Sequence, residues 1–174
     1  MGSLPPLIAL LTDKEEVVAR YAAMTLTNLA TEGPNQILIT KLGALPRLIQ
    51  LASIQDTEAA RYAGMALANL AAHRQNRAPV VTLGGLVPLI AMSASKSLET
   101  QRAAALTFYN VSCAASNHVP MVKKDVVTSL SQLGRLADLE CKRYSIMTLA
   151  NLAANTDTRA AATRYTNRTV LAHQ

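Results

Sequence analysis

Apolar residues along this chain fall into helical stripes, and the stripes themselves repeat. TEAARYAGMALANLAAH, residues 57–73, places its large apolar side chains at helical intervals and has no internal proline. That predicts one long helix, with Thr57 available to cap its start. The same stretch returns as RYAAMTLTNLA at 20–30 and RYSIMTLANLA at 143–153, with RYAGMALANLA at 61–71 between them. Asn28, Asn69, Asn110 and Asn151 are each 41 residues apart, as are Arg20, Arg61, Arg102 and Arg143, and Leu26, Leu67, Phe108 and Leu149. A fixed period of this length in several columns marks stacked units rather than one closed core.

A second block keeps the same step: GSLPPLIAL from Gly2, GALPRLIQL from Gly43, GGLVPLIAM from Gly84 and the degenerate DVVTSLSQL from Asp125. Asn35, Asn76 and Asn117 form a further column. Each unit therefore reads as three helices. A short one such as NQILITKL leads to a glycine that suits a sharp corner, a medium one opens near Pro46, and the long one follows. The units divide as a partial copy over 1–34, copies over 35–75, 76–116 and 117–157, and the start of another over 158–174. In the last, TNRTVLAHQ takes the place of a second helix without its glycine or proline, and 156–174 is expected to be the least ordered part.

These motifs resemble the armadillo repeat, with its Gly-Ala-Leu-Pro-type second helix and an alanine-rich third helix ending in Asn-Leu-Ala. HEAT repeats lack the glycine corner and the terminal asparagine. The resemblance covers essentially the whole chain and implies an all-α, right-handed superhelix whose third helices line a concave groove. It is closest in character to vacuolar and other adaptor-type armadillo proteins. Importin-α places tryptophan four residues before the asparagine, where this chain has Met24, Met65, Leu106 and Met147, and the sequence contains no tryptophan. An importin-like groove is disfavoured, and thioether side chains suggest a softer surface for apolar ligand residues.

At about 100° per residue, Leu26, Leu29 and Ala22 lie opposite Asn28, whereas Met24 and Tyr21 lie beside it. The same stripe reads Tyr62, Met65, Asn69 and Tyr144, Met147, Asn151, with Ala103, Leu106, Asn110 in the third copy. The expected picture is an exposed concave stripe including Tyr62, Met65, Asn69, Leu106 and Asn110, over buried Leu67, Leu70 and Phe108. A carboxamide offers one acceptor and two donors, so such a ladder can hold peptide main chain, the role the resemblance implies. The competing reading is that each asparagine bonds the backbone of a neighbouring layer. Arg20, Arg61, Arg102 and Arg143 fall on the groove's flank, where they meet ligand acids or pair with Glu16, Glu58, Glu99 and Glu140 one turn earlier.

Composition narrows the function classes. Aromatics make up 3% of the 174 residues, and the formal charge is +6. Residues 1–87 hold 7 basic and 6 acidic side chains and 88–174 hold 10 and 5. No dense basic cluster with interleaved aromatics appears, so nucleic acid is disfavoured, with RNA or acidic-lipid contact by the second half kept as the weakest alternative. His73, His118 and His173 are scattered, and neither HExxH nor CxxC occurs, so no enzyme, metal, cofactor or small-molecule substrate is expected. Cys113 and Cys141 have no paired spacing and read as ordinary buried thiols, and no run suggests a membrane span. The compartment expected is the cytoplasm, with the nucleus as the alternative. Asn110 and Asn167 head glycosylation matches that read as accidental. The function expected is a non-catalytic module that binds an extended or partly helical segment of a partner protein, within a larger scaffold or adaptor. A spacer or self-assembling solenoid segment is the alternative, because Leu7, Leu10 and Val170 lack cover at the ends and Arg159, Arg164 and Arg168 make a basic tail.

Overall fold

The computed structural model describes residues 2–54 and 58–171, with side chains described through Thr163. The chain forms α1 (Leu4–Ala9), α2 (Glu16–Leu29), α3 (Gly33–Lys41), α4 (Ala44–Ala52), α5 (Glu58–Ala72) and α6 (Arg74–Thr82). It continues with α7 (Leu86–Ser93), α8 (Leu98–Ser112), α9 (His118–Lys123), α10 (Val126–Arg135), α11 (Leu139–Ala154) and α12 (Thr156–Leu171). Short 3₁₀ turns follow α1 and precede α9, and no strand occurs among the described residues. Three rows result. The long helices α2, α5, α8 and α11 pack side by side in sequence order, α4, α7 and α10 form a second row, and α3 packs on α6 in the third.

The corner between the first two helices of a unit needs a left-handed backbone. Gly43 has φ 83° and Gly84 has φ 90°, a region open to glycine because it has no Cβ. Asp125, 41 residues beyond Gly84, takes φ 56°, and its Oδ1 accepts from the Thr128 hydroxyl at 2.9 Å. Aspartate is among the few residues whose short polar side chain tolerates this conformation, so the degenerate copy still turns.

Each long helix ends on a pair of side-chain caps six residues ahead of the carbonyls they serve. Asn35 and Gln36 donate to Leu29 O (3.0 Å) and Ala30 O (2.9 Å), and Asn76 and Arg77 donate to Leu70 O (2.9 Å) and Ala71 O (3.4 Å). Asn117 and His118 bond Val111 O (2.9 Å) and Ser112 O (2.7 Å), and Thr158 and Arg159 donate to Leu152 O (2.6 Å) and Ala153 O (3.0 Å). A carbonyl only accepts, so the hydrogen of His118 sits on Nε2. These bonds satisfy acceptors that a helix C-terminus leaves open. Asn76 and Asn117 use their amides twice, donating also to Gln36 O and Arg77 O of the preceding layer, both at 3.0 Å.

The core is one continuous sheet of aliphatic contacts between layers, and Leu67, Leu70 and Phe108 are fully buried as expected. Leu26 and Ala22 are buried too, while Leu29 is half-buried. Several expectations change. No corner separates a first from a second helix after residue 156: α12 is continuous from Thr156 to Leu171, because its sequence has no glycine or proline to turn it. Cys141 is buried, but Cys113 is exposed, since it caps the solvent-facing end of α8. Burial pushes the Cys141 thiol up to about 12, so it is inert as a nucleophile at neutral pH. Leu10 is 40% exposed, whereas Leu7 packs half-buried against the core. The Thr57 cap, His173 and the side chains of Arg164, Asn167, Arg168 and Val170 lie outside the described residues.

Candidate groove on the third helices

The groove stripe is built by α5, α8 and α11. A pocket of about 410 Å³ is lined by Tyr62, Met65, Ala68 and Asn69 of α5, Ala103 and Leu106 of α8, and Tyr144 of α11. Arg61, Glu99, Arg102 and Glu140 complete its wall. Five residues of the expected stripe thus meet in one cavity: Tyr62, Met65, Asn69, Leu106 and Tyr144. The others stand outside this pocket: Tyr21 is 53% exposed, Asn28 is exposed, and Met24 and Met147 are half-buried.

The asparagines divide their bonding. Asn69 Nδ2 donates to Thr27 O at 3.0 Å and Asn110 Nδ2 donates to Ala68 O at 3.0 Å, each 42 residues back in the preceding layer. Asn151 Nδ2 donates to the Ser112 hydroxyl at 2.9 Å. Because the partner of Asn69 and Asn110 is a carbonyl, the amide nitrogen must face it, which fixes the orientation of each carboxamide. That leaves one N–H and the Oδ1 of Asn69 uncommitted among the described residues. The expectation that Asn110 is exposed is corrected: it is only 9% exposed, because the flanking layers close over it, and Asn69 is half-buried.

The arginine column pairs forward, across layers. Arg20 donates to Glu58 at 2.5 Å, Arg61 pairs with Glu99, and Arg102 donates to Asp138 through Nε (3.0 Å) and Nη2 (2.6 Å). The partners Glu58 and Glu99 lie 38 residues ahead of their arginines. The expected pairing one turn earlier on the same helix occurs at Arg61, 3.3 Å from Glu58, while Arg102 reaches forward to Glu140, also 3.3 Å. Layer stacking brings the next helix's first turn closer than the arginine's own. Arg143 has no carboxylate partner among the described residues and lies 5.7 Å over the Tyr144 ring. Bonding to Arg102 and to the Cys141 N–H holds the Asp138 carboxyl well below the usual carboxylate range, and bonding to their carboxylates raises Arg20 and Arg102 further above neutrality.

Two contributors escaped the sequence reading. Asp138 both pairs with Arg102 and caps α11 by accepting from Cys141 N at 2.9 Å. Tyr109 stacks on Tyr144, ring centroids 5.7 Å apart. A search along columns of one period misses this pair, since the two tyrosines stand in different columns. His73 caps α6, its Nδ1 accepting from Gln75 N at 3.2 Å. Among the described residues no group of three or more His, Cys, Asp or Glu could hold a metal ion, and no helix is long and apolar enough to cross a membrane.

Solved structures decide the architecture. The chain superposes on computationally designed armadillo repeat proteins for modular peptide recognition with a TM-score of 0.88 at 24% identity, covering 94% of this chain and 71% of that one. The fold is an armadillo-repeat solenoid. A designed armadillo repeat protein solved in complex with the peptide (KR)4 matches with a TM-score of 0.86 at 23% identity, over 94% of this chain and 70% of that one. An engineered protein from the Northeast Structural Genomics Consortium matches over 99% of this chain and 43% of its own length, with a TM-score of 0.90 and 27% identity. No protein-family model and no curated protein sequence matches the chain. In armadillo terms, α2, α5, α8 and α11 are the third helices of successive repeats.

Proposed function

We propose that this armadillo solenoid is a non-catalytic module that holds an extended or partly helical segment of another protein along its third helices, as part of a larger scaffold or adaptor in the cytoplasm. The observation that carries the reading is the bonding state of Asn69. Its interlayer bond uses one N–H, and the remaining N–H and Oδ1 are uncommitted among the described residues, one donor and one acceptor for the main chain of a peptide. Tyr62, Met65 and Leu106 supply half-buried apolar surface beside them. The likeness to designed proteins described as made for modular peptide recognition supports the same choice.

A random peptide library displayed on phage and panned on the full chain tests it. Peptides enriched on the wild type are expected to lose at least about tenfold in affinity, by fluorescence anisotropy, on the Asn69→Ala/Asn110→Ala double variant, since partly buried hydrogen-bonding groups are then left unmade. Failure to enrich any peptide overturns the reading. The second reading is the spacer, favoured by the fact that both amides already tie their layer to the one behind. It expects the double variant to lose stability and nothing else.

A further inference from the structure

Contacts between consecutive third helices follow a second register that the 41-residue period hides. Thr27 Oγ1 stands 2.9 Å from Tyr62 O, 35 residues ahead, and shares its one hydrogen between that carbonyl and Ala23 O of its own helix, also at 2.9 Å. At the same spacing, the Tyr109 ring stacks on Tyr144. Between these two junctions lies the pair Ala68 and Ala103, and both line the 410 Å³ pocket. The other three repeats carry Tyr21, Tyr62 or Tyr144 where the third carries Ala103. The pocket is therefore the space of a missing tyrosine, with Tyr62 on the helix to one side and Tyr144 on the helix to the other.

We infer that this notch is a seat for one bulky, uncharged apolar side chain of a bound peptide, of leucine or phenylalanine size, and that Ala68 and Ala103 set that specificity. The inference rests on the peptide-binding reading above. Charge selects the occupant. Arg61 is held by Glu58 and Glu99, and Arg102 by Asp138 and Glu140, so the two cations on the wall are already paired and the four charged wall residues cancel. Each ring already carries a cation over one face: the Arg61 guanidinium lies 4.7 Å over Tyr62 and that of Arg143 lies 5.7 Å over Tyr144. A ligand lysine or arginine meets like charge at both rings, and a ligand carboxylate meets arginines that have carboxylates already. A neutral side chain displaces water from the half-buried Met65 and Leu106 over the buried Ala68 and Ala103 at no such cost, and the flexible thioether of Met65 adapts to its shape. Asn69, in the same pocket, holds main chain beside the seat.

The test uses the same panned library with Ala103→Tyr, which restores the residue of the other three repeats, and Ala103→Leu as a smaller filling variant should the tyrosine disturb folding by circular dichroism. Peptides enriched on the wild type are expected to share one Leu, Ile, Met or Phe at a fixed position. Replacing that anchor by alanine is expected to weaken binding to the wild type at least tenfold and to leave binding to the filled variant unchanged, while Asn69→Ala weakens peptides with either anchor. Enriched peptides with a shared Lys, Arg, Asp or Glu at that position, with no shared anchor, or with equal affinity for wild type and filled variant, overturn the seat and leave the groove reading standing. No enrichment on any of these proteins overturns both.

Discussion

Asn69 and Asn76 are seven positions apart, belong to columns of the same period, and spend their amides differently. Asn76 is 2% exposed and uses Nδ2 twice, for Leu70 O at the end of α5 and for Gln36 O in the layer behind. Asn69, half-buried on the open side of α5, uses Nδ2 once, for Thr27 O. The difference lies in what surrounds the side chain. At the closed end of a layer every polar atom must find a protein partner, whereas on the groove side water or a ligand can complete the set. One residue type therefore serves as a double staple in one column and makes a single interlayer bond in the other, the column proposed above as a clamp.

The sharpest way to break that comparison is Asn117→Ala, in the staple column. It removes both donations of the Asn117 amide, to Val111 O, which then keeps only the Ala114 N–H at 3.2 Å, and to Arg77 O of the preceding layer. The expected loss is about 1–3 kcal/mol of unfolding free energy, since each of the two bonds contributes on the order of 0.5–1.5 kcal/mol. Urea denaturation followed by circular dichroism measures it, and a loss no larger than that of a surface substitution would erase the distinction. Asn69→Ala, in the clamp column, removes one half-buried bond, so the same measurement should give about 0.5–1.5 kcal/mol. The ion-pair column separates from both by its pH response. The folded Asp138 carboxyl is held below its ordinary value, so its contribution is fully present above about pH 4 and fades as pH falls through the folded value. The stability gap between wild type and Asp138→Asn should thus narrow in acid below about pH 4, while the gap for Asn69→Ala stays level. A gap that widens in acid contradicts the pairing.

The repeat period, the three-helix unit and the glycine corners were legible in the sequence because each is a local demand. A left-handed turn wants glycine, and a long helix wants an unbroken run of helix formers. Even the exception could be placed, since Asp125 stands in register with Gly43 and Gly84. What was not legible is the offset between layers. Columns of identical residues step by 41, but contacts do not: Arg20 meets Glu58 at 38, Thr27 meets Tyr62 at 35, and Asn69 reaches back 42 to Thr27. These offsets depend on how far each helix slides along its neighbour, which packing decides and letters do not. For that reason the sequence pairs the arginines with the acids of their own helices and hides the stacking of Tyr109 on Tyr144, although the break in the tyrosine column at Ala103 is visible in it. Exposure at the helix ends, as for Cys113, is hidden by the same cause.

The paired caps also say where one copy of the unit stops and where the next is best grafted. Asn76 and Arg77 belong to α6 but complete α5, and Asn117 and His118 do the same for α8. A chimera joined between residues 75 and 76 separates each helix from the two side chains that finish it, so its success depends on the incoming segment supplying an amide donor at its first position and a second donor next to it. A crossover moved to the corner at Gly84 or Asp125 carries each long helix together with its own caps. Shuffled solenoids of this type should therefore tolerate junctions at the left-handed corner far better than junctions at the asparagine, whichever residues line the groove.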